Sequence, residues 1–286
     1  MTFNPIAILA GTKTTGSVQS AIAAASQKTG IDFNYLMGQA QLESGMRADA
    51  RAGTSSASGL YQFIEQSWLH VMKQHGAEHG LGWAADSIST TSSGRMTVSD
   101  PGMRRAILAL RNDPQTASLM AAEHASDNKD AIESSLGRSA TGTDLYMAHF
   151  LGLGGARSFL GAMQDSPNRS GAAMFPAAAR ANRNIFYASN GQARTLGEIY
   201  SRFAAKLDNG AARVGAVGLA STTLGESGAT VIPGNGETST SDAAVWAQAT
   251  LDQINGGTAR VQTANLMRPT PDTARLAYMM LASLGA

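Results

Sequence analysis

The feature that most constrains the fold is a succession of helix start and stop signals across residues 17–207. Asp32 can cap the first turn of a helix that Gly45 ends, and Asp113 followed by Pro114 is a strong start signal for another helix. This punctuation predicts a mainly α domain. The predicted helices span residues 17–28, 32–44, 67–76, 113–128, 143–152 and 195–207.

Composition agrees with closely packed helices and excludes several functions. The chain is 43% hydrophobic and only 6% aromatic, which favours small-residue helix packing over a β-sandwich. It has no cysteine, so disulfides, thiolate catalysis and cysteine metal sites are excluded. A net charge of +1 without a long basic run gives no indication of nucleic-acid binding. The apolar patch at residues 6–10 is too short to span a membrane and lacks the basic start of a signal peptide.

Residues 209–240 differ from the rest in composition. They hold seven glycines, many Ser and Thr, and no Lys or aromatic residue, which is typical of a flexible linker. We therefore expect a domain over residues 17–208, the linker, and a C-terminal helical segment over residues 241–286. Two short amphipathic stretches in that segment suggest a docking element for a partner. On this division, a chain truncated after Leu207 keeps an intact domain.

The helix predicted after Asp32 carries a candidate catalytic residue, Glu43. Apolar residues recur on one face of this helix, and Glu43 continues their stripe into the last turn. Desolvation and the negative end of the helix dipole both favour a protonated carboxyl there, as a general acid requires. The stripe consists of Phe33, Leu36, Met37 and Ala40. The alternative is a boundary glutamate that is solvated or paired with Arg47 or Arg51.

A second motif follows sixteen residues after Glu43, where the chain reads Gly59-Leu60-Tyr61-Gln62-Phe63. The pair Glu43-Ser44 followed by this motif resembles the soluble lytic transglycosylase family, which has a goose-type lysozyme-like domain with Glu-Ser and Gly-Leu-Met-Gln motifs. The resemblance implies that Glu43 is the catalytic acid and that the second motif lines a sugar-binding cleft, with a short loop or small β element there. The substrate-binding candidates around the two motifs are Ser44, Ser58, Tyr61, Gln62 and Phe63.

The family's third motif, Ala-Tyr-Asn-Ala-Gly, is altered in this chain. The nearest match is Ala148-His149-Phe150-Leu151-Gly152, so His149 stands where the family has a tyrosine that helps to position the catalytic centre. Tyr146 lies one helical turn earlier and can share a face with His149. Either residue could take the role of the family's tyrosine, and the alternative is that both belong to a helical core.

The resemblance implies a lytic transglycosylase, which cleaves the β-1,4 bond between N-acetylmuramic acid and N-acetylglucosamine in peptidoglycan and forms a 1,6-anhydro product. No second carboxylate falls in a motif, although Asp49 and Glu65 are near in sequence. We expect peptidoglycan strands as the substrate, a periplasmic location, and no metal or cofactor. The alternatives are a hydrolytic muramidase, or a weakly catalytic wall-binding component of a flagellar or secretion assembly, docked through the C-terminal segment.

One competing pattern remains at His75-Gly76-Ala77-Glu78-His79, which fits the His-x-x-Glu-His motif of some zinc proteases. That chemistry needs a continuous helix to bring both histidines to one face, and the glycines weaken a helix here. We therefore expect a solvated polar loop and no zinc.

Overall fold

The computed structural model describes residues 15–53 and 55–222, with side chains from Ser17 onward. This part of the chain is mainly helical, as predicted. Its α-helices are α1 (Thr15–Thr29), α2 (Phe33–Ser44), α3 (Glu65–His75), α4 (Gly82–Ser87), α5 (Pro101–Ala109), α6 (Pro114–Leu136), α7 (Gly142–Asp165), α8 (Gly171–Met174), α9 (Pro176–Ala181), α10 (Arg183–Phe186) and α11 (Leu196–Arg213). Two 3₁₀ turns span Ala77–His79 and Leu110–Asn112, and the strands are β1 (Ser89–Thr90) and β2 (Met96–Thr97).

The capping signals explain where the main helices begin and end. The Asp32 carboxylate accepts a hydrogen bond from the Tyr35 N–H at 2.8 Å, and Gly45 adopts a left-handed φ of 62° that ends α2. Thr195 and Glu198 form a reciprocal capping box at the start of α11. These boundaries follow local chemistry, which is why they were predictable.

Two helices extend further than predicted because their packing continues. Helix α6 runs past residue 128 to Leu136 and buries Ile132 near its end. Helix α7 starts from Thr141 rather than Thr143, since Thr141 forms a capping box with Asp144. Gly152 breaks the helical geometry with φ 71°, close to the predicted end, but the chain resumes the helix to Asp165.

The centre of the molecule is formed by α1, α2, α6, α7 and α11. Helix α1 packs along α6, α11 packs against α2 and α7, and α6 also contacts α7. The core residues of α2, including Leu36 and Met37, are fully buried within this group. Helix α2 thus has neighbours on several sides, and its two ends, at residues 33–34 and 41–43, are partly exposed.

Glycines bring α2 and α11 unusually close. A Cβ atom at Gly38 would lie 2.9 Å from the carbonyl oxygen of Leu207, and one at Gly210 would lie 3.1 Å from the carbonyl oxygen of Gly38. A larger side chain at either position would therefore force the two helices apart. This contact sets the distance between the ends of the helices that carry the candidate site.

The β structure is confined to a small hairpin and to isolated bridges. Strands β1 and β2 are antiparallel, with Ser89 opposite Thr97. The side chain of Gln66 in α3 holds β2 by bonding both the N–H and the carbonyl of Met96. Ser58 also forms bridges to Arg51 and Phe63 within the loop that follows α2.

The helical fold continues beyond residue 208, where the sequence predicted the end of the domain. Helix α11 continues to Arg213, and residues 214–222 return across the fold. Ala220 is buried, the Gly142 N–H donates to the carbonyl of Thr222 at 2.9 Å, and the Ser221 N–H donates to the Asp208 carboxylate at 2.8 Å. Glycine content indicated a linker here, whereas Gly210 allows close packing of α11 against α2. The rest of the linker and the segment 241–286 lie outside the described residues. Of the helices described, none is long and apolar enough to cross a membrane.

Truncation tests this boundary. A chain that ends at Leu207 loses Ala211, Ala220 and the bonds of residues 208–222, and we expect its unfolding free energy to fall by about 2 kcal/mol or more relative to a chain that ends at Thr222. Urea denaturation monitored by circular dichroism measures the difference. Equal midpoints for the two chains would contradict the boundary.

Candidate active site

Glu43 lies in the last turn of α2 and meets His149 from α7. The Oε1 atom of Glu43 is 3.2 Å from Nε2 of His149, and the two side chains are 17% and 23% exposed. Among the described residues, Glu43 forms no ion pair with Arg47 or Arg51; the Arg47 guanidinium bonds the carbonyl of Ser44 instead. The structure thus brings together two predicted site residues that are 106 positions apart in the sequence.

Tyr146 lies beside this pair on the same face of α7, as its spacing predicts. Its ring stacks on the imidazole of His149, with centroids 6.3 Å apart and planes inclined by 12°. The residue is only 3% exposed and also packs against Phe203 of α11. Tyr146 is therefore both a core residue and a neighbour of Glu43, so the two alternatives drawn from sequence are compatible.

Three further residues lie within electrostatic range of the Glu43–His149 pair and were not identified from sequence. Burial raises the pKa of Tyr35, with a smaller contribution from the charge of Glu43. Burial lowers the pKa of Lys206, and the charge of Glu43 opposes that shift. Burial and the charge of His149 together lower the pKa of His124 to about 4, so His124 is neutral near pH 7. These residues belong to α2, α11 and α6, and no local motif marks them.

The loop that carries the second motif is held in a strained shape against the Leu110–Asn112 turn. Gly59 has φ 84°, and a Cβ atom there would lie 1.8 Å from the carbonyl oxygen of Arg111, so only glycine fits. Gln62 also has a positive φ of 49°, and its side-chain amide donates to the carbonyls of Ala50 and Gly59. The Arg111 guanidinium donates to the carbonyl of Phe63 at 3.0 Å. These bonds hold the loop against the Leu110–Asn112 turn.

The two predicted serines have partners within the protein. The hydroxyl of Ser44 donates to the carbonyl of Ala40 at 3.1 Å, and that of Ser58 donates to the side-chain oxygen of Asn112 at 2.9 Å. Both residues are buried. They shape the helix end and the loop, and their predicted contacts with substrate stay predictions.

The remaining residues of the second motif divide between core and loop. Tyr61 is 1% exposed, and its hydroxyl donates to the carbonyl of Leu36 at 3.3 Å. Phe63 is also buried and packs edge-on against Trp68. Gln62 is half-buried and is the most accessible of the three. The structure therefore gives Tyr61 and Phe63 packing roles beneath the loop.

Residues 75–79, which were predicted to form a solvated loop, are instead partly buried. Their two histidines form a cluster with acidic side chains of α6. His75 ends α3 and its Nε2 lies 3.0 Å from the Asp127 carboxylate, while Nε2 of His79 lies 2.6 Å from Glu123. The side chain of His79 is only 6% exposed. The sequence pattern missed this cluster because its acidic partners lie 44 and 52 residues away. Within residues 15–53 and 55–222, no three His, Asp or Glu side chains are arranged to hold a metal ion.

A comparison of the chain with models of known protein families finds no family that matches it.

The cluster predicts a pH dependence of stability. Burial opposes the charged imidazole, but the hydrogen bond to Asp127 and the charges of Asp127, Glu123 and Glu78 raise the pKa of His75. Its stabilisation is therefore complete below the unfolded value of about 6.5 and is lost as the pH rises through the folded value.

We expect the stability difference between wild type and His75→Asn to be larger at pH 6 than at pH 8. Thermal melts at several pH values measure it. His124, whose lowered pKa acts in the opposite direction, is present in both proteins, so most of its contribution cancels in the difference. His70→Asn, an exposed position on the same helix, is the matched control. A wild-type to His75→Asn difference that is constant with pH would contradict the assignment.

Proposed function

We propose that the protein is a peptidoglycan lytic transglycosylase with a lysozyme-like domain, in which Glu43 is the sole acid–base residue. The observation that carries the proposal is the partly exposed Glu43 carboxyl at a helix end, 3.2 Å from the imidazole of His149. The resemblance of the two sequence motifs to the transglycosylase family supports it, and so does the mainly α fold. On this proposal the substrate is the glycan strand of the cell wall and the protein acts in the periplasm.

The proposed reaction needs one group that gives and then takes a proton. Glu43 protonates the oxygen of the bond between N-acetylmuramic acid and N-acetylglucosamine, and the substrate's N-acetyl oxygen stabilises the developing positive charge. The Glu43 carboxylate then removes the proton of the muramyl 6-hydroxyl, which attacks and closes the 1,6-anhydro ring. A hydrogen-bond donor beside Glu43 stabilises the carboxylate form between the two steps, and the imidazole of His149 is suited to that role.

The group in contact with Glu43 is an imidazole and not a second carboxylate that could activate a water molecule. An internal nucleophile of the substrate is therefore favoured over water. Glycosidases that use two carboxylates keep them about 5–10 Å apart around the bond that is cut. Glu65, one of the two nearby acids considered from sequence, is held by the guanidinium of Arg104. Its charge is thereby committed to an ion pair at the start of α3.

One observation keeps a non-catalytic alternative open: His149 replaces the tyrosine that the family has at this position. A protein that binds peptidoglycan as part of a flagellar or secretion assembly, without cutting it, is the second candidate. Retained binding to purified sacculi without release of muropeptides would favour it. Release of products with reducing muramic ends would instead indicate a hydrolytic muramidase.

The variant Glu43→Gln tests whether Glu43 is the general acid. The amide is nearly isosteric and cannot deliver a proton, so we expect turnover of purified sacculi to fall by about 10²-fold or more. Mass spectrometry of the released muropeptides measures turnover and identifies the anhydro end. Asp49→Asn, a nearby exposed carboxylate, is the control and should retain most activity. Substantial turnover by folded Glu43→Gln would remove Glu43 from the role of acid.

The variant His149→Ala tests whether the imidazole of His149 assists Glu43. Because the imidazole lies in direct contact with the Glu43 carboxyl, we expect its loss to lower turnover by roughly tenfold or more. Melting temperature is measured in parallel to separate catalysis from folding. Full activity in a normally stable His149→Ala protein would show that the contact does not assist Glu43.

A further inference from the structure

Lys206 reaches the candidate site from α11 and contacts Tyr146. Its Nζ atom donates a hydrogen bond to the Tyr146 hydroxyl at 3.3 Å and lies 5.6 Å from the centre of the ring. Much of the Lys206 side chain is exposed, but its ammonium end is partly desolvated where it lies on the buried Tyr146. The lysine therefore covers the hydroxyl end of a ring whose face is stacked on His149.

The chemistry of the two groups determines which one donates the hydrogen bond. An ammonium group has three donors and no acceptor, so the hydroxyl oxygen of Tyr146 must accept. The O–H proton of Tyr146 must then point away from Lys206. A buried hydroxyl proton without an acceptor is costly, so this proton needs an acceptor on another side of the oxygen.

Glu43 is the acid whose charge acts on both groups. Burial is the larger influence on both groups, but the charge of Glu43 adds to the rise in the pKa of Tyr146 and opposes the lowering of the pKa of Lys206. The Glu43 carboxyl also contacts His149, on which the Tyr146 ring is stacked. Lys206, Tyr146, His149 and Glu43 thus form one connected polar group that spans α11, α7 and α2.

We propose that Lys206 is a positioning residue of the Glu43 site, which acts by donating to the Tyr146 hydroxyl and so directing the O–H proton of Tyr146 towards Glu43. As Glu43 gives its proton to the substrate, the phenol and the ammonium behind it stabilise the carboxylate that forms. Lys206 acts through Tyr146 and needs no contact with the substrate. The catalytic part of this inference rests on the proposed function.

A double-mutant cycle on turnover of sacculi tests the proposal. Lys206→Met keeps a long apolar side chain but removes the donor, and we expect kcat to fall about tenfold while KM stays within about twofold. In a Tyr146→Phe background, Lys206→Met should cause no further loss, because the hydroxyl through which it acts is absent. Lys206→Arg, which also only donates, should retain most of the activity.

The control is Lys129→Met on α6, where the ammonium group bonds Glu133 at 3.0 Å. It should leave kcat and KM unchanged. Independent, multiplicative losses for Lys206→Met and Tyr146→Phe would overturn the proposal. So would a raised KM with unchanged kcat, which would assign Lys206 to substrate binding.

A measurement without substrate separates this inference from the proposed function. In protein labelled with ¹³C at the tyrosine ζ carbon, the resonance of Tyr146 is identified by its absence in Tyr146→Phe. It should shift in Lys206→Met and not in Lys129→Met. This shift in a protein that cuts no peptidoglycan would uphold the Lys206 contact and reject the proposed function. An unshifted resonance would overturn the inference whatever the activity.

Discussion

The close contact of α2 with α11 is the constraint on which the site depends. Gly38 and Gly210 have no side chains, so the backbones of the two helices meet at distances that a Cβ atom would not allow. Helix α7 also packs against α11. If the two helices were further apart, Lys206 could not lie over Tyr146 while Glu43 still contacted His149. The packing of two glycines thus determines how the polar side chains of the candidate site lie relative to one another.

The surroundings of Glu43 suit a carboxyl that changes its charge during a reaction. An imidazole lies in direct contact with it, and a phenol and an ammonium group lie behind that imidazole. All three can donate hydrogen bonds to a carboxylate, and the partial burial of the site strengthens each interaction relative to water. The same carboxyl remains partly exposed, as the proposed function requires. This combination distinguishes Glu43 from Glu65, which forms an ion pair with Arg104.

Motif spacing predicted part of the site because some geometry is local. His149 and Tyr146 are one helical turn apart, so their shared face follows from the helix period alone. The burial of Tyr61 and Phe63 could not be obtained in the same way. Their side chains follow a loop whose conformation depends on Gly59 fitting against the Arg111 backbone, 52 residues later. The histidines at positions 75 and 79 were misjudged for the same reason, since their partners come from another helix.

The sequence by itself determined the helical character of the chain, the main helix boundaries, and Glu43 and His149 as candidate residues. These depend on caps, glycines and short-range periodicity, which act over a few residues. Only the tertiary structure decided that Glu43 meets His149, that Lys206 and His124 lie near them, and that residues 209–222 pack onto the fold. Each of these contacts joins residues far apart in the chain, and close packing of side chains, rather than any local preference, selects them.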